Sequence, residues 1–330
     1  MTRLLAQART PIFFKIRRLL SVTLKCTTAI GCLAIQPFAA AVESNSSSYP
    51  VGIETNFSGI MFPEGATWLA YYSHYSAADS KDNSGKNNSS LAHYNFQSDT
   101  VALRLSYVWP GVKWLGANIE SRFALSVPTV ELELDIARPQ AFGGPIDKGG
   151  TQTGFTDLNI APVLFGWHGK TVHQTAGIEG YIPSGTYDKD EPVNIGHNFF
   201  QAAPFYAVTW FPNEHWEASA KFRYAFNSRN QDTDYQSGNE FTTEFSAGYR
   251  VSPAFTLGIQ GYVYRQTTDD QLDGESVNGN GNRGSVNALG PYFQYRFSKS
   301  FAVITKYQQE FDAKNRGEGS RLWVQMKLPF

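Results

Sequence analysis

The chain has 330 residues, 28 Lys plus Arg against 29 Asp plus Glu, 42% hydrophobic residues and 15% aromatic ones, and only two cysteines, Cys26 and Cys32. Its first 41 residues hold Arg3, Arg9, Lys15, Arg17, Arg18 and Lys25 and no acid, so the remainder keeps 22 of the 28 basic residues against all 29 acids, a net charge near −7. An acidic chain whose cysteines all lie in its first 41 residues is neither a nucleic-acid binder nor a disulfide-stapled secreted domain.

Chain order starts with that basic region. An apolar stretch from Leu19 toward Ala34 and then Ala39, Ala40 and Ala41 follow it, the pattern of a secretory signal peptide cleaved near Ala41. A lipid-anchored alternative exists at Ala29-Ile30-Gly31-Cys32, although apolar sequence continues past the cysteine. Residues 42 to 65 form an N-terminal periplasmic segment that carries Phe57, Ile60, Met61, Phe62 and Pro63 in a Ser-rich context. An apolar cluster is costly to leave in water, so this segment is expected either to enter a nearby lumen from the periplasmic end as a plug, or to remain a disordered leader.

From residue 66 to residue 330 the pattern is β. No apolar run beyond the leader reaches the roughly 20 residues a membrane helix requires, and the mean hydropathy is −0.33. Barrel strands escape that test, because only alternate residues face lipid. A first strand is expected near Thr67 to Ser76. Val101, Leu103, Leu105, Tyr107 and Trp109 then form one apolar face opposite Arg104 and Ser106, with a turn at Pro110 to Lys113 and a return through Leu115 to Leu125. Further hairpins follow. Leu158 to Leu164 returns as Ala176 to Ile182; Phe200 to Trp210 as Trp216 to Tyr224; Phe241 to Tyr249 as Phe255 to Val263; and Leu289 to Phe297 as Phe301 to Tyr307.

A last strand, Ser320 to Phe330, completes an all-β, antiparallel transmembrane barrel of about twelve strands, an even number that places both termini on one side. Long polar connections near residues 77–95, 128–152, 184–198, 227–239, 267–285 and 312–319 are expected outside the cell. Trp109, Trp114, Trp167, Trp210 and Trp216 flank the short turns as a periplasmic girdle. Such a barrel belongs in the outer membrane of a Gram-negative bacterium, in contact with lipid and lipopolysaccharide and delivered by the barrel-assembly machinery.

The inward register gives the pore-lining candidates Glu120, Arg122, Asp157, Asn159, Glu179, Phe199, Gln201, Phe205, Glu217, Lys221, Arg223, Glu240, Glu244, Arg250, Tyr262, Tyr292, Arg296, Lys306, Gln308 and Arg321, with Phe155, Tyr181 and Tyr264 as further aromatic stations. Phe57, Ile60, Met61 and Phe62 are the plug candidates. Opposite charges across a narrow lumen either pair as a structural lattice or set selectivity. Ala161-Pro162, Ala203-Pro204 and Gly290-Pro291 repeat a small residue before a lipid-facing proline. Each pair implies a β-bulge or a weakened seam through which an apolar solute leaves sideways.

Enzymatic patterns are thin. His74-Tyr75-Ser76 has the spacing of an outer-membrane phospholipase, the alternative being a histidine of the aromatic belt. Asp269, Gln271, Asp273 and Glu275 only partly imitate a calcium loop, and His168, His173, His197 and His215 have no metal-ligand spacing. No cofactor motif is present and no catalytic residue is assigned.

Pro63-Glu64-Gly65-Ala66-Thr67-Trp68 leading into Tyr71-Tyr72-Ser73 and Asp79, Gly154-Phe155-Thr156-Asp157-Leu158, and Tyr181-Ile182-Pro183-Ser184-Gly185-Thr186-Tyr187 with Asn194, Gly196, Asn198 and Pro204 together resemble the outer-membrane family of the meta-pathway of phenol degradation. The resemblance spans residues 57 to the end. It implies a passive outer-membrane channel for small apolar or aromatic compounds, linked to aromatic catabolism; an outer-membrane hydrolase and a structural or adhesive barrel are the alternatives. One departure is that Gln325 stands five residues before the end, with Arg321 and Leu322 where the usual assembly signal allows glycine.

Overall fold

The computed structural model describes residues 47–329. The expected leader with its cleavage site and Phe330 fall outside them. The described residues form twelve long strands: β1 (Gly65–Lys81), β2 (Leu91–Trp114), β3 (Ala117–Ile136), β4 (Leu158–His168), β5 (Val172–Ile182), β6 (Gln201–Trp210), β7 (Trp216–Asn227), β8 (Glu240–Arg250), β9 (Phe255–Gln266), β10 (Ser285–Arg296), β11 (Ala302–Lys314) and β12 (Arg316–Lys327). Each pairs antiparallel with the next, and β1 pairs with β12, so the sheet closes. Closure leaves no edge and pairs the strand backbones with one another, which hydrocarbon demands.

Period-two sequence dictates the two faces. Val101, Leu103, Phe123, Phe222, Leu257, Ile259, Leu289 and Phe293 are exposed on the outside, while Ser106, Glu120, Lys221, Arg223, Glu244, Lys306 and Gln308 are buried inside. That inversion of a water-soluble core is the signature of a lipid-facing wall. Trp109, Trp114, Trp210 and Trp216 are exposed beside the short turns, as a girdle requires.

Several boundaries differ from expectation. The β2–β3 hairpin turns at Leu115 and Gly116, both at positive φ (51° and 76°) as a two-residue turn needs, and Pro110 to Lys113 form a bulge in β2 instead of the turn. At the other end β2 and β3 rise together to the pair Leu91↔Ile136, so much of the expected loops 77–95 and 128–152 is strand. Between β11 and β12 only Asn315 intervenes, where a loop over 312–319 was expected. In the extended part of β3, Val130, Leu132 and Leu134 still alternate with Thr129, Glu131 and Glu133, and their buried face packs on Val193 and Ile195 of the β5–β6 loop, a period-two signal that the expected loop passed over. Short strands, Ile146–Asp147 and Gly150–Thr153 on β3 and a three-stranded flap of Tyr235–Gln236, Gln271–Leu272 and Glu275–Ser276, decorate the long-loop end.

Candidate functional site

The lumen is occupied by the chain's own residues 47–64. Backbone polar groups of a segment without a ladder need partners, and the wall's polar side chains supply them. Close to Gly65, Met61 packs on Val108, Ala161, Leu164, Phe205 and Ala207, while Phe62 lies against Leu69, Tyr71 and Ala102. The Gly59 N–H donates to Thr209 Oγ1 (3.0 Å) and Thr175 Oγ1 donates to the Ser58 carbonyl (2.9 Å). A Cβ at Gly59 would collide with the Thr209 backbone, so only glycine passes there.

Deeper in, the Phe57 N–H donates to Ser219 Oγ at 3.1 Å. The N–H groups of Glu54 and Gly52 donate to the two carboxylate oxygens of Glu244 (2.9 and 2.5 Å). Lys306 Nζ donates to the carbonyls of Gly52 and Ile53 (2.7 and 2.8 Å), Gln325 to that of Ile53 (2.6 Å) and Arg321 to that of Val51 (3.0 Å). Tyr49 then joins Tyr181, Tyr262 and Tyr264, and Ser47 Oγ reaches Glu240 Oε2 (2.6 Å) at the long-loop end. Eighteen residues therefore run the height of the barrel.

Glu54 sits at the centre of this path. Its Oε1 faces Arg104 of β2 and Arg122 of β3 (Nη1 at 3.2 Å), and its Oε2 faces Lys221 Nζ of β7 (2.5 Å). Around it the wall pairs its own charges: Arg122 with Glu120 (2.5 Å), Arg223 with Glu179 (2.6 Å), and Lys221 with Glu179 (3.4 Å). Taking these groups from water is compensated only because each has an opposite charge or hydrogen-bond partner.

Most of the expected lining converges here. Glu120, Glu179, Gln201, Phe205, Glu217, Lys221, Arg223, Glu240, Glu244, Tyr262, Tyr292, Lys306 and Gln308 are buried on the inside, and Arg122 and Arg321 reach the inner segment. Tyr292 donates its hydroxyl to Glu217, and Arg223 also donates to Gln201. Asn159 donates to the Gly180 carbonyl on the neighbouring strand (3.3 Å). Arg250 and Arg296 stand at the ends of β8 and β10 beside the short turns, away from this centre. Phe155 is 54% exposed, so it is no inward station. Sequence reasoning missed Glu54, Tyr49, Arg104 and Gln260; the first two lie where periodicity is silent, whereas Arg104 lay on the polar face of a recognised strand.

Asp157 and Phe199 belong to the long-loop end. Asp157 Oδ1 accepts the Gly185 N–H (3.0 Å) and Oδ2 accepts the His197 N–H (2.9 Å), with His197 Nδ1 at 3.4 Å. Gly185 and Gly196 touch so closely that a Cβ on either would strike the other's backbone. Asp157 thus clamps the β5–β6 loop to the start of β4. Burial pushes its carboxyl up, but the hydrogen bond and charge of His197 and the two amide donors outweigh burial and leave it below the usual carboxylate range. A depressed native pKa stabilises the clamp above the ordinary Asp value of about 3.9 and is lost as pH falls through the native value. Amide exchange at Gly185 and His197 is expected to be protected at pH 6, to lose protection below about pH 3.9, and to be unprotected at both in Asp157→Ala. Protection that survives in the variant would contradict the clamp.

The three proline seams are not three bulges. Only β4 shifts register at its proline, between Ile160↔Gly180 and Leu164↔Gly177 around Pro162. Across Pro204 and Pro291 the β6–β7 and β10–β11 ladders keep register and merely lack pairs, from Ala202↔Phe226 to Phe205↔Arg223 and from Leu289↔Gln309 to Tyr292↔Lys306. Pro291 has no N–H for the facing Tyr307 carbonyl, and Gln260 Nε2 donates to it instead at 2.8 Å from inside the lumen. Gln260 in turn accepts from Gln308 (2.7 Å), which also holds the Gly52 carbonyl (3.0 Å). Gln260→Leu strands that carbonyl, and a loss of about 1–3 kcal/mol in barrel stability is expected by denaturant titration; an unchanged midpoint would mean the seam has another donor.

On the outer wall, His74 Nδ1 lies 3.0 Å from Asp99 Oδ1, which also accepts the Tyr72 hydroxyl (2.6 Å). Among the described residues no hydrogen bond joins Ser76 to His74, so the nucleophile–base contact of a hydrolase is not formed. His168 and His173 meet at 3.2 Å across the β4–β5 hairpin, a proximity that sequence spacing hides. Asp269 is held by Ser276 (2.7 Å) and Arg283 (2.6 Å).

The family described as "Putative MetA-pathway of phenol degradation" matches residues 78–326. No curated protein matches the sequence. Among solved structures, an outer membrane channel from Pseudomonas putida F1 is similar with TM-score 0.68 at 18% identity, over 82% of this chain and 97% of that one. The transport unit of the autotransporter AIDA-I from Escherichia coli gives TM-score 0.47 at 10% identity, over 84% and 95%.

Proposed function

We propose a passive transport function for this chain, which belongs to the MetA-pathway family of phenol degradation. The fold is that of an outer-membrane channel. In our reading small apolar or aromatic compounds cross through the lumen, and residues 47–64 are a displaceable plug. The observation that carries this is the kind of bond that holds the segment: side chains of the wall hydrogen-bond its backbone and pair with Glu54, with no strand ladder and no covalent tie. Each such bond contributes only about 0.5–1.5 kcal/mol net, or about 1.5–3 where a charge takes part, and water can replace it. Tyr181, Tyr262 and Tyr264 of the wall, which now pack on Tyr49 of the segment, line the path and suit an aromatic solute.

Deleting the gene in its own bacterium tests the reading. Growth on an aromatic carbon source at limiting concentration should slow and recover on complementation, with growth on sugar unaffected. Equal slowing on both sources would argue for a structural role of the barrel, and unchanged growth on both would remove the transport reading.

A further inference from the structure

We propose that the middle of the lumen is a binding site for an aromatic carboxylate, and that Glu54 with Met61 occupies it as an internal stand-in. This rests on the displaceable-plug reading above. Three cations from three separate strands, Arg104, Arg122 and Lys221, converge on one carboxylate, and the wall does not provide that carboxylate; the inner segment does. Wall acids balance two of the three. Arg122 has Glu120 and Lys221 has Glu179, which it shares with Arg223. Among the described residues Arg104 makes its one contact ion pair with Glu54.

Withdrawing the segment therefore leaves an excess of positive charge in a narrow, low-dielectric passage. Charge of that kind is stabilised by an anion that takes the same place. The shape of the anion follows from what lies beside it. Lys221 Nζ stands 4.5 Å from the centre of the Phe205 ring, and the same Phe205 belongs to the apolar cluster of Val108, Ala161, Leu164 and Ala207 that receives Met61. A cationic triad and an apolar, aromatic-walled recess are thus adjacent, joined through Phe205. A planar ring bearing one carboxylate fills both, as Met61 and Glu54 do from a single strand of chain. An Arg–carboxylate pair adds directional hydrogen bonds to the charge.

The test uses the full chain refolded into planar bilayers, with benzoate as the probe and benzyl alcohol as its uncharged counterpart. Benzoate should raise conductance by displacing Glu54 from the triad, and benzyl alcohol should not. Glu54→Gln should raise conductance with no solute present, because an amide cannot satisfy three cations. Arg104→Gln should shift the benzoate response to concentrations at least about tenfold higher, the size of a lost charged contact. Heat-modifiable gel migration identifies variants that have closed into barrels, and Arg104→Lys, which keeps the charge, should recover part of the response if Arg104→Gln fails to close.

Equal responses to benzoate and benzyl alcohol, or none to either while Glu54→Gln conducts more, would overturn the carboxylate site and leave the plug standing. Unchanged conductance in Glu54→Gln and indifference to benzoate would overturn both.

Discussion

Removing residues 47–60 should raise single-channel conductance several-fold while leaving the barrel closed on itself. The deleted stretch contributes no strand, and β1 begins only at Gly65, so the ladder from β1 through β12 does not depend on it. What the deletion takes away is the mass that fills the passage. Glu244, Lys306, Gln308, Arg321 and Gln325 lose the backbone groups they now hold, and these side chains regain water. Twelve strands lie between the eight that side chains fill and the roughly sixteen that leave an open aqueous channel, so the segment decides which regime applies. Planar-bilayer recordings measure this; conductance equal to that of the full chain would mean that the wall alone closes the pore.

Charge placed on the outer wall should have the opposite profile, abolishing assembly without touching the lumen. Phe245 and Leu105 lie on the lipid-facing register of β8 and β2, next to the buried Glu244 and Ser106. An arginine at mid-membrane costs about 2–4 kcal/mol, enough to consume much of a barrel's margin. Phe245→Arg and Leu105→Arg should therefore accumulate as unfolded, heat-insensitive species in gels. Glu244→Gln should fold, and its effect should appear in conductance, because it retains a carbonyl acceptor for only one of the two N–H groups that Glu244 now serves. Equal assembly defects in the three would mean that the inner and outer faces are misassigned.

The division between what the chain's letters disclose and what they conceal follows from physics along the wall. Where lipid touches one face, alternation is enforced, and Val101 to Trp109 or Phe241 to Tyr249 read directly as strands with Glu244 and Ser106 inside. Above the hydrocarbon the pattern weakens: Leu91, Tyr94 and Phe96 pack on Val130, Leu132 and Leu134, and Ala313 is buried between exposed Asp312 and Lys314, but these inward contacts sit among polar residues that read as loop. Glu54 is harder still. Its role comes from three cations contributed by β2, β3 and β7, about 50 to 167 positions away along the chain, and no local pattern encodes such a meeting. Gln260 is opaque for the same reason: it answers a missing donor at Pro291, on a different strand.

The central claim is that solute passes only when residues 47–64 move aside. Phe57 and Ser219, whose backbone N–H and hydroxyl lie 3.1 Å apart, offer a place to lock that movement. Both native cysteines lie within the first 41 residues, so in a chain expressed from residue 42 onward a Phe57→Cys, Ser219→Cys pair has no other cysteine within the chain to bond. Conductance of this double variant, measured in the same bilayer before and after adding reductant, should be near zero when oxidised and should rise when reduced. A channel that conducts equally in both states would contradict the account.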